Sequence, residues 1–386
     1  MRGTAFVVGA GIGGLAVAAG LAQRGWKVGV HERAGELREV GAGIYLKENG
    51  VRVLEKLGCL AAIIRSSTRI QTSEIRDRHG RPILSRNVGN ERVYTVLRED
   101  LHRELATAAT GFGVTVELNS QIEQVSTDGR LTTADGRTLQ GDLIVGADGL
   151  GSIVRAQAGL QVQAGRMANG STRILVPLAD GDPREGSIEY WRGHKRVMVC
   201  PVGNNITYFC ASSREDDARG VAIPFDIPYW TECFPELARL FSRVTPDMGV
   251  HHAHGQVRVS AWQAGRVGIL GDAVHGQPPN LGQGAGMAIS NGYALVDCLE
   301  REKSVEAALK AWEASYRRIT EQVQTWSVSW DHLVHRWPMP IEGLRSSVIW
   351  SLSNFPATRR HWGRLYRGLM DSELAAPGTQ AAQPLA

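Results

Sequence analysis

The chain has 386 residues, 43% of them apolar, and a formal charge of only +4. That length supports one large domain or two coupled ones around a substantial core. The small charge and the lack of a Lys/Arg run argue against a nucleic-acid partner and suit a small anionic ligand better.

No apolar run approaches bilayer length, so no membrane partner is expected. The N-terminal residues pass into an apolar strand without the basic, apolar and small-residue sequence of a secretory signal. The five cysteines, Cys59, Cys200, Cys210, Cys233 and Cys298, are scattered, odd in number and without a C-x-x-C pair. A disulfide framework or thiolate zinc site is therefore not expected, and the location read from this is cytoplasmic.

In chain order, the spacing predicts a strand over Thr4 to Val8, a helix, a strand over Lys27 to His31, and a helix over Asn49 to Leu57. A helix over 99 to 109 and strands around Val114 to Leu118 and Leu143 to Val145 follow. From about 166 to 260 the texture becomes alternating strands and turns, the mark of an inserted β-rich unit. An amphipathic helix over Ser304 to Gln324 carries Val305, Ala308, Trp312, Tyr316, Ile319 and Val323 at steps of three or four, a stripe that reads as core packing. The Trp-rich segment from Trp326 to Trp350 is expected to continue as helices against the body or a second subunit, and the tail Ala375 to Ala386 to be disordered.

Gly9, Gly11 and Gly14 form a G-x-G-x-x-G turn between an apolar strand and a helix. Gly11 lets backbone approach a pyrophosphate, and the helix N-terminus supplies free N–H groups. The next strand ends in Glu32, where a carboxylate can accept hydrogen bonds from adenosine ribose hydroxyls. The fingerprint alone does not separate FAD from NAD. Residues 265 to 286 do: the apolar strand Val267 to Leu270 runs into Gly271-Asp272, a Pro/Gly loop and the glycine-rich helix start Gly284 to Gly286. An Asp at that strand end suits a ribityl chain, and the N–H groups of the helix start suit a flavin ring edge. An ordinary strand-to-helix turn is the competing account.

These segments, together with the run from Asp142 to Arg155, resemble the group A flavoprotein aromatic hydroxylases, the p-hydroxybenzoate hydroxylase-like family, from the N-terminus to about residue 325. The resemblance implies an α/β fold: a doubly wound, Rossmann-like FAD domain over 1–66, 98–165 and 260–325, an inserted β-sheet substrate domain over 67–97 and 166–259, and a C-terminal helical segment over 326–374. It implies Gly9, Gly11, Gly14, Glu32 and Arg33 at the adenosine end of FAD, Arg98 and Asp148 near the pyrophosphate, Asp272 on the ribityl chain, and Ala285 and Gly286 at the isoalloxazine. NADH or NADPH would donate electrons transiently. O2 would be the co-substrate, through a flavin C4a-hydroperoxide whose distal oxygen attacks an electron-rich ring. Such chemistry needs no metal. The cluster His251, His252, His254 lacks a second ligand group in sequence, and His275 reads as structural.

Within the family, residues 41–58 and 194–209 resemble the members that oxygenate hydroxypyridine carboxylates, which implies substrate contacts for Tyr45, Arg196 and Tyr208, with Pro279 in the flavin-side loop. If the hairpin turns as a three-residue loop centred on Asn204, Cys200 lies opposite Tyr208 and Arg196 stands on the same face, roughly 13 Å away. A two-residue loop would put them on opposite faces. Arg196 would then hold a carboxylate bidentately while the two tyrosines hydrogen-bond the ring hydroxyl or nitrogen. Ser73 stands where those members carry another pocket tyrosine, and Gly276-Gln277-Pro278 departs from their flavin loop, so a related acid of the 5-hydroxynicotinate kind is expected, with ring opening left open. The alternatives are a salicylate or hydroxybenzoate hydroxylase and, in another class, a non-catalytic flavin-binding regulatory protein. A homodimer is the candidate assembly.

Overall fold

The computed structural model describes residues 2–37 and 42–355; the expected tail and the end of the expected C-terminal segment lie outside the described residues. A six-stranded sheet runs in the order Gln263–Ala264, Val267–Ile269, Leu143–Gly146, Thr4–Val8, Lys27–His31, Thr115–Glu117, parallel except for its first strand. Every residue of Leu143–Gly146 is buried, as an inner parallel strand covered on both faces requires. The helix Ile12–Gln23 starts at Gly11 and stops before Gly25, whose φ of +83° is the left-handed conformation that ends helices. It crosses Gly284–Arg301 closely: a Cβ on Gly292 would lie 3.1 Å from Val17 Cβ. The expected helices near 49–57 and 99–109 are Glu48–Lys56 and Arg98–Gly111.

The inserted sheet has seven strands, ordered Val250–Val259, Val162–Pro177, Ile206–Arg214, Lys195–Pro201, Gly186–Arg192, Thr72–Arg76, Pro82–Asn87. Alternation sorts its side chains. Ile174, Val176, Val197, Val199 and Phe209 face one way and pack under Phe225, Trp230, Phe234 and Phe241. Fully burying each such side chain contributes about 1.5–3 kcal/mol. The alternate residues, Ser171, Arg173, Arg196, Met198, Tyr208 and Glu189, take the opposite face by register. The hairpin turns through residues 203–205, closed by Val202 N–H to Ile206 O (3.0 Å), with Asn204 and Asn205 at φ +49° and +56°. Cys200 therefore pairs with Tyr208, the register expected of the three-residue loop.

The long helix departs from expectation at its end: it begins after Ser304, whose Oγ accepts from Ala307 N–H (3.1 Å), and runs to His335 rather than stopping near Gln324. Its buried stripe turns polar there. Gln324 Nε2 donates to Gly276 O (2.9 Å), Ser327 Oγ to Pro278 O (2.6 Å), and Asp331 and His335 are buried one and two turns later. Apolar periodicity is blind to such a stripe, because polar residues fill it. The helix Glu342–Asn354 then packs back on the body, with buried Arg345 donating to Gly193 O (3.1 Å) and Val334 O (3.0 Å). Among the described residues no helix is long and apolar enough to cross a membrane.

Candidate active site

One cavity of about 440 Å³ lies between the two sheets, and both glycine turns contribute to it: Gly11, Ile12 and Gly13 from the first, Gly271, Asp272, Gly284 and Ala285 from the second. The turns converge in space. A Cβ on Gly13 would meet Leu270 Cδ1 at 2.9 Å and Ala288 Cβ at 3.1 Å, so the two segments are in close contact there. Gly14 is bound as tightly to the first strand, its hypothetical Cβ lying 2.0 Å from Gly9 O, and Gly9 itself has φ +99°.

Glu32 holds the first turn. Its carboxylate accepts from Ala10 N–H (2.8 Å) and Ala34 N–H (2.9 Å). A carboxylate has about four acceptor sites, so capacity remains for ribose hydroxyls. His102, overlooked in the sequence, is buried and bonds Ala10 O through Nε2 at 2.7 Å from the other side. Neither N-cap residue, Gly11 or Gln283, caps its helix with its own side chain, and helix starts of this kind suit a ligand that accepts from first-turn N–H groups.

The remaining cofactor candidates separate. Arg98 and Asp272 line the cavity, whereas Arg33 is exposed and outside its lining. Asp148 turns inward on its own loop, accepting from Ser152 Oγ (2.6 Å), Ile153 N–H (2.7 Å) and Val154 N–H (3.1 Å), while Gly149 lines the cavity. Gly286 lies outside the lining, beside Asn49: a Cβ there would stand 3.0 Å from Asn49 Oδ1. Arg155 clamps the two strand-end loops, donating to Ala273 O (2.7 Å) and Leu150 O (2.8 Å).

Tyr45, Arg196, Tyr208, Pro279 and Ser73 all line the cavity. Burial pushes the phenols of Tyr45 and Tyr208 well above their ordinary value and the Cys200 thiol up to about 12, so all three stay protonated at neutral pH. Gly43 makes room for the Tyr208 ring, since a Cβ there would lie 2.6 Å from Tyr208 Cδ1. Arg196 differs from the expectation of a free carboxylate clamp: its Nη1 already meets Glu189 Oε1 at 3.2 Å and its Nε lies 3.4 Å from Ser212 Oγ. A second arginine, Arg173, lines the same cavity, and no carboxylate pairs with it among the described residues. The sequence held only a faint signal for it: Ile174 and Val176 share one strand face, which puts Arg173 and Leu175 on the other.

Against this geometry, residues 2–327 match the model of a family described as the FAD binding domain. The chain belongs to that family. It is 36% identical, over 85% of its length and 87% of the relative's, to a putative 2-heptyl-3-hydroxy-4(1H)-quinolone synthase of Rhodococcus erythropolis. It is 33% identical to a 3-amino-4-hydroxybenzoate 2-monooxygenase of Streptomyces cremeus, over 80% and 82%. The structure of 2-methyl-3-hydroxypyridine-5-carboxylic acid oxygenase, a tetrameric form, superposes with a TM-score of 0.81 at 34% identity, covering 86% of this chain and 92% of that one. The protein is thus an FAD-dependent aromatic-ring monooxygenase, and the non-catalytic flavin-binding alternative falls.

The residues present fit the cofactor of this monooxygenase. Glycines that no Cβ could replace, an acidic residue at the end of the second strand, and helix starts facing one cavity are what a flavin dinucleotide requires. Bound there, FAD supplies the activation of O2 with electrons from NAD(P)H. The chain's own contribution is to hold the dinucleotide, exclude water and orient the ring.

Proposed function

We propose that the monooxygenase oxygenates a small hydroxylated aromatic acid, a hydroxypyridine carboxylate of the 5-hydroxynicotinate kind being the reading its cavity supports best. The observation that carries this is the pair of guanidinium groups, Arg173 and Arg196, on one wall of a cavity that also presents Tyr45 and Tyr208, whose phenols burial keeps neutral. They occupy neighbouring cross-strand rows on strands separated by one, so their Cα atoms stand about 12 Å apart, a gap two long side chains close over a carboxylate. Arg173 takes the carboxylate, with Arg196 beside it already balanced by Glu189. Tyr45 and Tyr208 donate to the ring hydroxyl or nitrogen, and Pro279 lies on the flavin side.

The 34% identity to the hydroxypyridine oxygenase supports this choice. The aminohydroxybenzoate relative favours the hydroxybenzoate alternative, in which the same arginines serve. The quinolone relative favours a bicyclic ring without a carboxylate. Assembly into two or more copies is part of the reading: Leu344, Val348 and Trp350 are exposed on the helix Glu342–Asn354, and the hydroxypyridine oxygenase has a tetrameric form. The deciding experiment offers the holoprotein a panel of hydroxylated pyridine and benzoate acids and 4-quinolones, follows NAD(P)H absorbance and O2 uptake, and identifies products by mass. A hydroxypyridine carboxylate should stimulate oxidation and gain oxygen; stimulation by quinolones alone would overturn the acid reading.

A further inference from the structure

The acceptor side of the cavity carries information that the arginines do not. Glu189 lines the cavity, yet its two oxygens differ. Oε1 accepts from both Arg196 Nη1 and Trp191 Nε1, whereas Oε2 has no hydrogen-bond partner among the described residues. The Glu189 side chain is 15% exposed and lines the cavity, so it is not closed off by its bond to Arg196. The register explains the placement: Glu189 is opposite Met198 and Trp191 opposite Arg196, so all four share the sheet face that forms the wall.

We infer that Glu189 is a specificity-determining residue that selects rings bearing an N–H or amino donor. An ionised carboxylate accepts and cannot donate, and beside a bound carboxylate or phenolate it would repel. The other polar groups named on this wall, Arg173, Arg196, Tyr45 and Tyr208, are donors to an acid or a ring oxygen. A ring that satisfies both sets presents an acidic or carbonyl oxygen to the arginines and a nitrogen-borne hydrogen to Glu189 Oε2. Leaving that oxygen unpaired in a site closed by a substrate without the donor carries the penalty of a buried unsatisfied charge. This inference rests on the aromatic-acid reading and narrows it to acids with a nitrogen-borne hydrogen, a condition that 5-hydroxynicotinate meets as its zwitterion, with the protonated ring nitrogen turned to Glu189 and the tyrosines on the ring oxygen.

The test uses the holoenzyme and three acids: 3-amino-4-hydroxybenzoate, 6-hydroxynicotinate, which carries a ring N–H as its pyridone tautomer, and 4-hydroxybenzoate, which has no nitrogen. Dissociation constants come from the change in flavin absorbance. At least one nitrogen-bearing acid should bind wild type on the order of tenfold to a hundredfold more tightly than 4-hydroxybenzoate. In Glu189→Gln, which keeps an oxygen for Arg196 but loses the charge, that ratio should collapse toward one. Equal weakening of all three acids would reduce Glu189 to a counter-ion for Arg196 and overturn the inference. So would a wild-type enzyme that binds the acids without preference, a result available even if the variant fails to fold. Were neither these three nor 5-hydroxynicotinate to bind wild type or stimulate NAD(P)H oxidation, the acid reading would fall and this inference with it.

Discussion

Asn280 Nδ2 lies 3.2 Å from Asp331 Oδ1, and the bond ties the turn Pro279–Leu281, which lines the cavity, to the long helix Val305–His335. The same carboxylate takes Asn169 Nδ2 and lies 3.4 Å from the Nδ1 atoms of both His254 and His335. One wholly buried charge therefore fastens three parts of the fold. Asp331→Ala would leave Asn169 Nδ2 and His254 Nδ1 without this acceptor and should cost about 1–3 kcal/mol of stability for each. Chemical denaturation of the FAD-loaded protein measures it, and a loss near zero would deny Asp331 this role.

Stability should fall on mild acidification because of His254. Burial dominates its environment and pulls its pKa from 6.5 to about 4; Asp331 opposes that pull, and Arg196 and Arg173 add to it. Between those two values the unfolded chain takes up a proton that the folded chain refuses, so the folded state loses ground as pH drops from 6.5 toward 4, by at most about 1.4 kcal/mol per unit. Above 6.5 this contribution is complete. Melting temperatures measured from pH 4.5 to 7.5 should show a shallower slope for His254→Gln than for wild type. Parallel slopes would place the effect elsewhere.

Glu32 should matter to flavin retention beyond its expected ribose contact, because it also braces the glycine turn through Ala10 and Ala34. Losing charge-assisted bonds of about 1.5–3 kcal/mol should weaken FAD at least tenfold in Glu32→Ala. Fluorescence titration of the apoprotein with FAD reads this directly, and unchanged affinity would contradict the assignment.

Arg173 and Arg196 should behave differently when truncated. Arg173→Met removes a cation with no carboxylate partner among the described residues, so it should raise KM for an acid by about tenfold to a hundredfold and leave FAD content and melting temperature near wild type. Arg196→Met leaves Glu189 without its cation in the cavity wall and should lose stability as well as affinity. Steady-state kinetics beside thermal melts of both variants separate the two, and identical profiles would sink the distinction.

Much of the cofactor half was legible in the linear chain, because it rests on local chemistry. Gly9, Gly11, Gly14, Glu32 and the Gly271-Asp272 turn announce themselves by spacing, since a tight turn beside a phosphate tolerates few residue types. The hairpin register was legible too, as one of two alternatives, and the left-handed Asn204 and Asn205 selected it. What escaped was pairwise and long-range. Arg196 looked free until the neighbouring strand brought Glu189 to it, Arg173 acquired meaning only as a wall of the same cavity, and Asp331 hid in a helix whose apolar stripe had run out.

By itself the sequence determined the doubly wound scaffold, the flavin turns and the inserted sheet, since periodicity and turn chemistry act over a few residues. Only the tertiary structure decided which charges are balanced and which line the cavity, because an ion pair depends on distances across strands that no local pattern encodes.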